Sequence, residues 1–241
     1  MTRDSLYAVP HELLADFAFD ESVTQVFPDM IRRSVPGYGN IVTMIGLLAE
    51  RYGTAGTTLY DLGCSLGAST LSMRRCLGSR DCTIVAVDNS EAMVEGCRAN
   101  IAAAGDGVHV DVRCEDICDV AISNASVIVL NFTLQFISPE HRLELLSKIR
   151  RGMRPGGILI LSEKIVFDSA EENEFQRTLH LDFKRANGYS DLEISQKRTA
   201  LENVLIPETL EQHRQRLADA GFSRSHLWFQ CFNFVSIVAF A

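Results

Sequence analysis

The sequence predicts an α/β fold: a seven-stranded, mostly parallel sheet with a helical insertion and a C-terminal antiparallel strand pair. Three observations lead there. Between Thr57 and Glu163, short apolar runs alternate with amphipathic segments, the pattern of repeated βα units. The first run, Leu59-Tyr60-Asp61-Leu62, opens into Gly63-Cys64-Ser65-Leu66-Gly67, a Gly-x-x-x-Gly turn that leads into a helix. The last two runs, His226 to Phe232 and Val235 to Phe240, are joined too tightly to run parallel.

Taken in order, residues 1–20 are mixed and read as irregular, with Phe17 and Phe19 as anchors. Glu21 to Arg33 has helical spacing, since Val23, Val26, Phe27, Met30 and Ile31 share a face. Ser34 to Tyr38 breaks it. Asn40 to Arg51 is a second helix, ended by Gly53 and Gly56. Strand one is Thr58 to Leu62, with a helix from Gly67. Strand two, Cys82 to Asp88, is apolar from Ile84 to Val87, as burial on both faces requires. Ser90 is placed to cap a helix from Glu91 to Ala104. Val108 to Cys114 and Ala125 to Asn131 are strands three and four. A helix from Pro139 to Arg151 and a Pro155-Gly156-Gly157 turn lead into strand five, Ile158 to Glu163. Phe167 to Val204 is polar and helical, interrupted at Asn187-Gly188-Tyr189-Ser190. It reads as an insertion covering a pocket. Pro207 to Ala220 is a last helix before the strand pair. The expected organisation is one domain: a helical cap (1–56), a nucleoside-binding core (57–164), the insertion (165–206) and a C-terminal helix with two strands (207–241).

Composition narrows the function. At 241 residues with 46% hydrophobic content, the chain holds enough apolar residues for a sizeable core. A net charge of -8 and no basic run argue against direct nucleic-acid binding. No apolar run reaches the roughly 20 residues of a membrane span, and the N-terminus lacks a secretory pattern. Seven cysteines without a C-x-x-C pair argue against both a disulfide framework and a zinc ribbon, and point to a reducing cytoplasmic compartment. The scattered histidines have no ligand spacing, so no metal is expected.

The chemistry is expected at the carboxyl ends of the strands, where open α/β sheets bind ligands. Gly63 and Gly67 let a ligand approach the backbone. The phosphate fingerprint and the Walker lysine are absent, and Asp61 would repel a pyrophosphate while suiting a sulfonium or ammonium. The loop thus reads as the cradle of an unphosphorylated nucleoside, S-adenosylmethionine first; the plainer alternative is a turn with structural glycines. Asp88 suits both ribose hydroxyls, with Asn89 beside them, although an aspartate in Asp-Asn-Ser also suits a turn. Asp116 and Ile117 suit the adenine ring. Asn131, ending an apolar strand, offers an amide that donates and accepts, with Phe132 and Gln135 near the same cavity. Lys164, Lys184-Arg185 and Lys197-Arg198 each read singly as solvated surface; a carboxylate substrate would call for them.

Five parallel strands closed by an antiparallel pair is the order of the Rossmann-like class I S-adenosylmethionine-dependent methyltransferases. Beyond that, the chain closely resembles the carboxy-S-adenosyl-L-methionine synthases of bacterial tRNA wobble-uridine modification. The resemblance runs from about Asp4 to Ala239. It is carried by residues 26–31 (VFPDMI), 33–38 (RSVPGY), 60–65 (YDLGCS), 130–136 (LNFTLQF), 183–190 (FKRANGYS), 195–198 (SQKR), 201–204 (LENV) and 227–234 (LWFQCFNF). The resemblance implies a reaction other than methyl transfer. S-Adenosylmethionine and prephenate give carboxy-S-adenosylmethionine, phenylpyruvate and water. It implies a binding set of Tyr38, Gly63, Cys64, Ser65, Asp88, Asn89, Asp116, Ile117, Asn131 and Arg198, all of the matching type here. Arg198 and Tyr38 would hold the new carboxylate. It also implies a homodimer whose product feeds a tRNA carboxymethyltransferase. Two readings compete with it: an ordinary small-molecule methyltransferase, and a non-catalytic nucleoside-binding scaffold.

Overall fold

The structure, a computed structural model, describes residues 2–10 and 17–241. The irregular start is seen over 2–10 and 17–20; its remainder, with His11, lies outside the described residues. The elements run α1 (Glu21–Ser34), α2 (Tyr38–Tyr52), β1 (Thr57–Leu62), α3 (Ala68–Leu77), β2 (Cys82–Asp88), α4 (Glu91–Ala103), β3 (His109–Cys114) and β4 (Ala125–Asn131). A 3-10 turn (Leu134–Phe136), α5 (Pro139–Gly152) and β5 (Met153–Val166) follow, then α6 (Ala170–Ala186) and α7 (Asp191–Leu201) of the insertion. Last come β6 (Glu208–Thr209), α8 (Leu210–Asp219), β7 (Arg224–Cys231) and β8 (Phe234–Phe240).

The sheet order is β3-β2-β1-β4-β5-β8-β7. Strands β1 to β5 pair parallel, and β8 runs antiparallel to both β5 and β7. This is the expected seven-stranded Rossmann-like sheet, with one addition. The two-residue β6 pairs with Ile165 and Val166 at the end of β5. It shortens the helix expected from Pro207, because Glu208 is held by Arg142 and Arg216 while Thr209 caps α8 through the Gln212 amide. The turn expected at Pro155-Gly156-Gly157 is instead a bulge within β5: Ala125 opposes Met153, yet Val127 opposes Ile158.

Alternation along the strands sends their side chains to two cores. Tyr60, Leu62, Val85 and Leu130 pack with Leu145, Leu146 and Ile149 of α5 and Leu217 of α8. Leu59, Ile84, Val127 and Ile160 pack on the other face with Ile41 and Ile45 of α2 and Met73 of α3. Ser90 caps α4 as expected, accepting from the Met93 amide at 3.3 Å.

The β1–α3 loop has the glycines its backbone demands. Gly63 and Gly67 both sit at φ +82°, and a Cβ on Gly63 would lie 2.4 Å from the Thr133 side chain. Gly63→Ala is therefore expected to cost at least about 1–2 kcal/mol from the left-handed backbone alone. Urea denaturation measures this. A loss within 0.5 kcal/mol of zero would show that the loop relaxes freely.

Candidate active site

A cavity opens above the carboxyl ends of β1, β2, β4 and β5. Its floor comes from the strand ends and the loops that follow them. Its walls come from Phe17 and Phe19, from α1 and from the insertion, which covers it as expected. Tyr38, Gly63, Cys64, Ser65, Asp88, Asn89, Asp116, Ile117 and Asn131 all line it. Arg198 does not. It is exposed on α7, although its charge bears on Lys184.

Asp88 is the pivot of the cavity end beside the β1–α3 loop. Its Oδ2 accepts from the Ser65 amide at 2.9 Å and its Oδ1 from the Ser90 amide at 3.0 Å. These bonds fix the carboxylate and leave further lone pairs facing the cavity. Burial raises its pKa above the ordinary carboxylate value. The loop amides of Gly63 and Cys64 are tied to the Val87 carbonyl at 2.8 and 2.9 Å, so β2 holds the loop. Asp116 is exposed and accepts the Cys118 amide at 2.8 Å, a local turn that leaves its second oxygen available. Asn131 donates to Ser69 Oγ at 3.2 Å, while its Oδ1 is buried without a partner among the described residues. An orphaned acceptor at a cavity wall fits a ligand ammonium or hydroxyl. Ser65 (φ 47°) and Phe132 (φ 63°) also line the cavity, so two of the four non-glycine residues with left-handed backbone among those described lie here.

Asp61, expected to suit a cationic ligand, does not line the cavity, and its Oδ1 is buried without a hydrogen-bond partner among the described residues. It lies within β1, 1% exposed, and accepts from Thr70 Oγ1 at 2.6 Å. Burial pushes its pKa up to about 6. It ties α3 to β1 from beneath the loop. Tyr38, at the start of α2, is held protonated by burial and by the Asp61 charge, so its hydroxyl is a donor. The hydrogen bond with Cys97 and burial push the Cys64 thiol above its ordinary value, which favours the protonated form.

The second half of the cavity was only partly legible. Lys164 at the end of β5, His180 and Lys184 on α6 and Lys197 on α7 line it together. Arg185 instead pairs with Asp182 and Asp191 on the surface. His180 went unrecognised; its signal is the four-residue spacing to Lys184, which puts both on one helix face. Its Nε2 donates to the Ser34 carbonyl at 2.8 Å, and burial with the lysine charges lowers its pKa to about 3. Glu163 holds the adjoining wall, accepting the Leu134 and Gln135 amides at 3.0 and 2.9 Å.

Comparison with known proteins gives the same picture. A family model described as "Methyltransferase domain" matches residues 59–157. The carboxy-S-adenosyl-L-methionine synthase of Geobacter sp. (strain M21) is 61% identical over 243 residues, covering 100% of both chains. The chain belongs to the carboxy-S-adenosyl-L-methionine synthase family. It is therefore an enzyme, a transferase. The synthase of Vibrio cholerae serotype O1 (strain ATCC 39541 / Classical Ogawa 395 / O395) is 58% identical over 237 residues, covering 98% of this chain and 96% of that one. Among solved structures, human N-acetylserotonin methyltransferase in complex with SAM superposes with TM-score 0.59. Identity there is 16%, over 91% of this chain and 55% of that one, a likeness of fold alone. The synthase family therefore uses the methyltransferase scaffold. Among the described residues no helix is long and apolar enough to cross a membrane, and no cluster of His, Cys, Asp or Glu is arranged to hold a metal.

Proposed function

We propose that this protein converts S-adenosyl-L-methionine and prephenate to carboxy-S-adenosyl-L-methionine, phenylpyruvate and water, as a cytoplasmic homodimer. The product supplies the carboxymethyl group for a tRNA carboxymethyltransferase acting on the wobble uridine. The observation that carries this reading is end-to-end identity with relatives of that name, joined to a cavity that continues past the nucleoside end. Asp88 holds the ribose hydroxyls, Asp116 and Ile117 the adenine, and Asn131 Oδ1 the amino acid portion.

The chemistry needs positioning more than an acid–base pair. Prephenate loses its ring carboxylate as carbon dioxide together with hydroxide and becomes aromatic. The hydroxide takes a proton from the sulfonium methyl, giving water. The resulting ylide forms a carbon–carbon bond to the carbon dioxide. The chain's part is to hold the reactants in contact, exclude water beneath the insertion and stabilise the new carboxylate. The protonated Tyr38 hydroxyl donates to that carboxylate, and Arg198 gives it a bidentate partner. That Arg198 is absent from the lining of its own chain's cavity supports a role for it at the site of the second subunit.

Incubation with both substrates tests the function. A nucleoside heavier by one carboxyl group supports it. S-Adenosylhomocysteine would instead mark a small-molecule methyltransferase, and tight nucleoside retention without turnover would mark a scaffold. Arg198→Ala is expected to abolish the carboxylated product while leaving S-adenosylmethionine affinity within about threefold. Mixing Arg198→Ala and Asp88→Ala subunits should restore up to about one quarter of wild-type activity if the arginine acts across the dimer; no recovery would place it in its own subunit's site.

A further inference from the structure

Three cations stand at the cavity's second end with too few anions to balance them. The only acids lining the cavity, among the described residues, are Asp88 and Asp116, both at the nucleoside end. Lys164 and Lys184 are half-buried, and neither ammonium forms a hydrogen bond or ion pair among the described residues. Lys197 is 7% exposed; its Nζ donates to Ser34 Oγ at 3.1 Å and lies 3.8 Å from Asp4 Oδ2. Asp4 is shared with the Tyr189 hydroxyl, so it offsets at most one of the three charges. Desolvated ammonium groups without counterions cost free energy. Their convergence on one cavity from β5, α6 and α7 is the arrangement of an anion site.

We propose that Lys164, Lys184 and Lys197 form the binding site for the carboxylate that the second substrate keeps through the reaction, the 2-oxo acid carboxylate of a dianionic ring compound. This rests on the function proposed above. The physical reason for assigning the retained carboxylate is transition-state binding. A lysine cluster on the departing carboxylate would stabilise the ground state and slow loss of carbon dioxide. On the retained carboxylate it anchors the substrate without that penalty and leaves the departing group facing the sulfonium. It also separates two roles: the lysines hold the incoming acid, and Arg198 receives the new one.

Proton linkage supports the same assignment. Burial and neighbouring cations lower the pKa of Lys184 to about 7 and of Lys197 to about 8, and burial lowers that of Lys164. The groups facing them are His180 on α6, Arg198 on α7, Arg33 on α1 and Asp4 from the N-terminal segment. An arriving carboxylate favours the charged lysines, so binding takes up protons. The KM for the acid should therefore rise between pH 7 and 9, as the free lysines discharge.

Lys184→Met and Lys164→Met keep side-chain length and remove the charge. Each is expected to raise the KM for prephenate about 10–100-fold, raise the inhibition constant of phenylpyruvate in parallel, and leave S-adenosylmethionine affinity within about threefold. Melting temperatures of the unliganded variants should equal or exceed the wild type, which separates lost binding from lost folding. Unchanged KM in both variants, or an equal loss of S-adenosylmethionine binding, overturns the proposal. Should the wild type make no carboxylated product, the functional reading fails independently. Calorimetric titration of phenylpyruvate then decides the lysine site: binding lost in the variants supports it, and binding equal to wild type overturns it.

Discussion

Asp88→Ala is expected to weaken S-adenosylmethionine binding by a hundredfold or more, measured by calorimetry. Two effects combine. A buried carboxylate accepting both ribose hydroxyls makes charge-assisted bonds worth about 1.5–3 kcal/mol each. The same carboxylate is the anchor of its surroundings, because the Ser65 and Ser90 amides both donate to it. Removing it frees the loop that carries the adjoining cavity wall and leaves two amides to find water. Asp88→Asn separates the contributions. Its amide keeps one acceptor oxygen but aims an NH₂ group at one of those amide donors, so it should fall between wild type and alanine. Because burial raises the Asp88 pKa, affinity should also decline on acidification earlier than an exposed aspartate would dictate. Asp116→Ala is the contrast. It is exposed and its carboxylate is held locally by Cys118, so a loss of tenfold or less is expected. A shift below tenfold for Asp88→Ala would remove the residue from its assigned place.

These contrasts follow from what a sequence can and cannot display. The parallel sheet was legible because strands buried on both faces must be apolar, as Ile84 to Val87 and Val127 to Leu130 are. The cavity floor was legible for a related reason: a polar residue terminating such a run stands at the ligand edge of the sheet, and Asp88 and Asn131 both line the cavity. Side-chain direction was not legible. Asp61 lies one residue before the end of β1, and only the structure shows its Oδ2 accepting from Thr70 of α3 and the residue missing from the cavity lining. Strand β6 was hidden because two residues carry no periodicity, and its pairing is imposed by Arg142 and Arg216 on Glu208. The lysine cluster was hidden in another way. Lys164, Lys184 and Lys197 each suit a solvated surface, and only the return of the insertion over β5 brings them to one wall. Phe27 and Met30 likewise read as part of an ordinary apolar helix face and Phe17 as an anchor, yet all three line the cavity.

The largest loss of stability is expected from Arg142→Met, about 3–5 kcal/mol, read from urea or thermal denaturation. Arg142 is fully buried, and each of its three guanidinium nitrogens donates a hydrogen bond. Nε donates to the Ile137 carbonyl at 2.8 Å, Nη2 to the Ile206 carbonyl at 2.8 Å and the Gln135 carbonyl at 3.2 Å, and Nη1 to Glu208. One side chain thus joins α5, the 3-10 turn after β4 and the chain returning from the insertion. Methionine fills much of the volume but leaves three carbonyls without these donors, each a desolvation cost that packing does not recover. Glu208 keeps Arg216, whose side chain is 15% exposed, so Arg216→Met should cost distinctly less. Burial alone would raise the Glu208 pKa, but hydrogen bonds from Arg216 and Arg142 outweigh it and hold the carboxyl below its ordinary value. A depressed folded-state pKa contributes stability that is present above the unfolded value and lost as pH falls through the folded one. The gap between wild type and Arg142→Met should therefore narrow in acid. Gln135, Phe136 and Ile137 line the cavity, so the variant should also bind S-adenosylmethionine more weakly, without any contact between Arg142 and ligand. A stability loss under 1 kcal/mol would mean that the turn and the returning chain hold their places without the arginine.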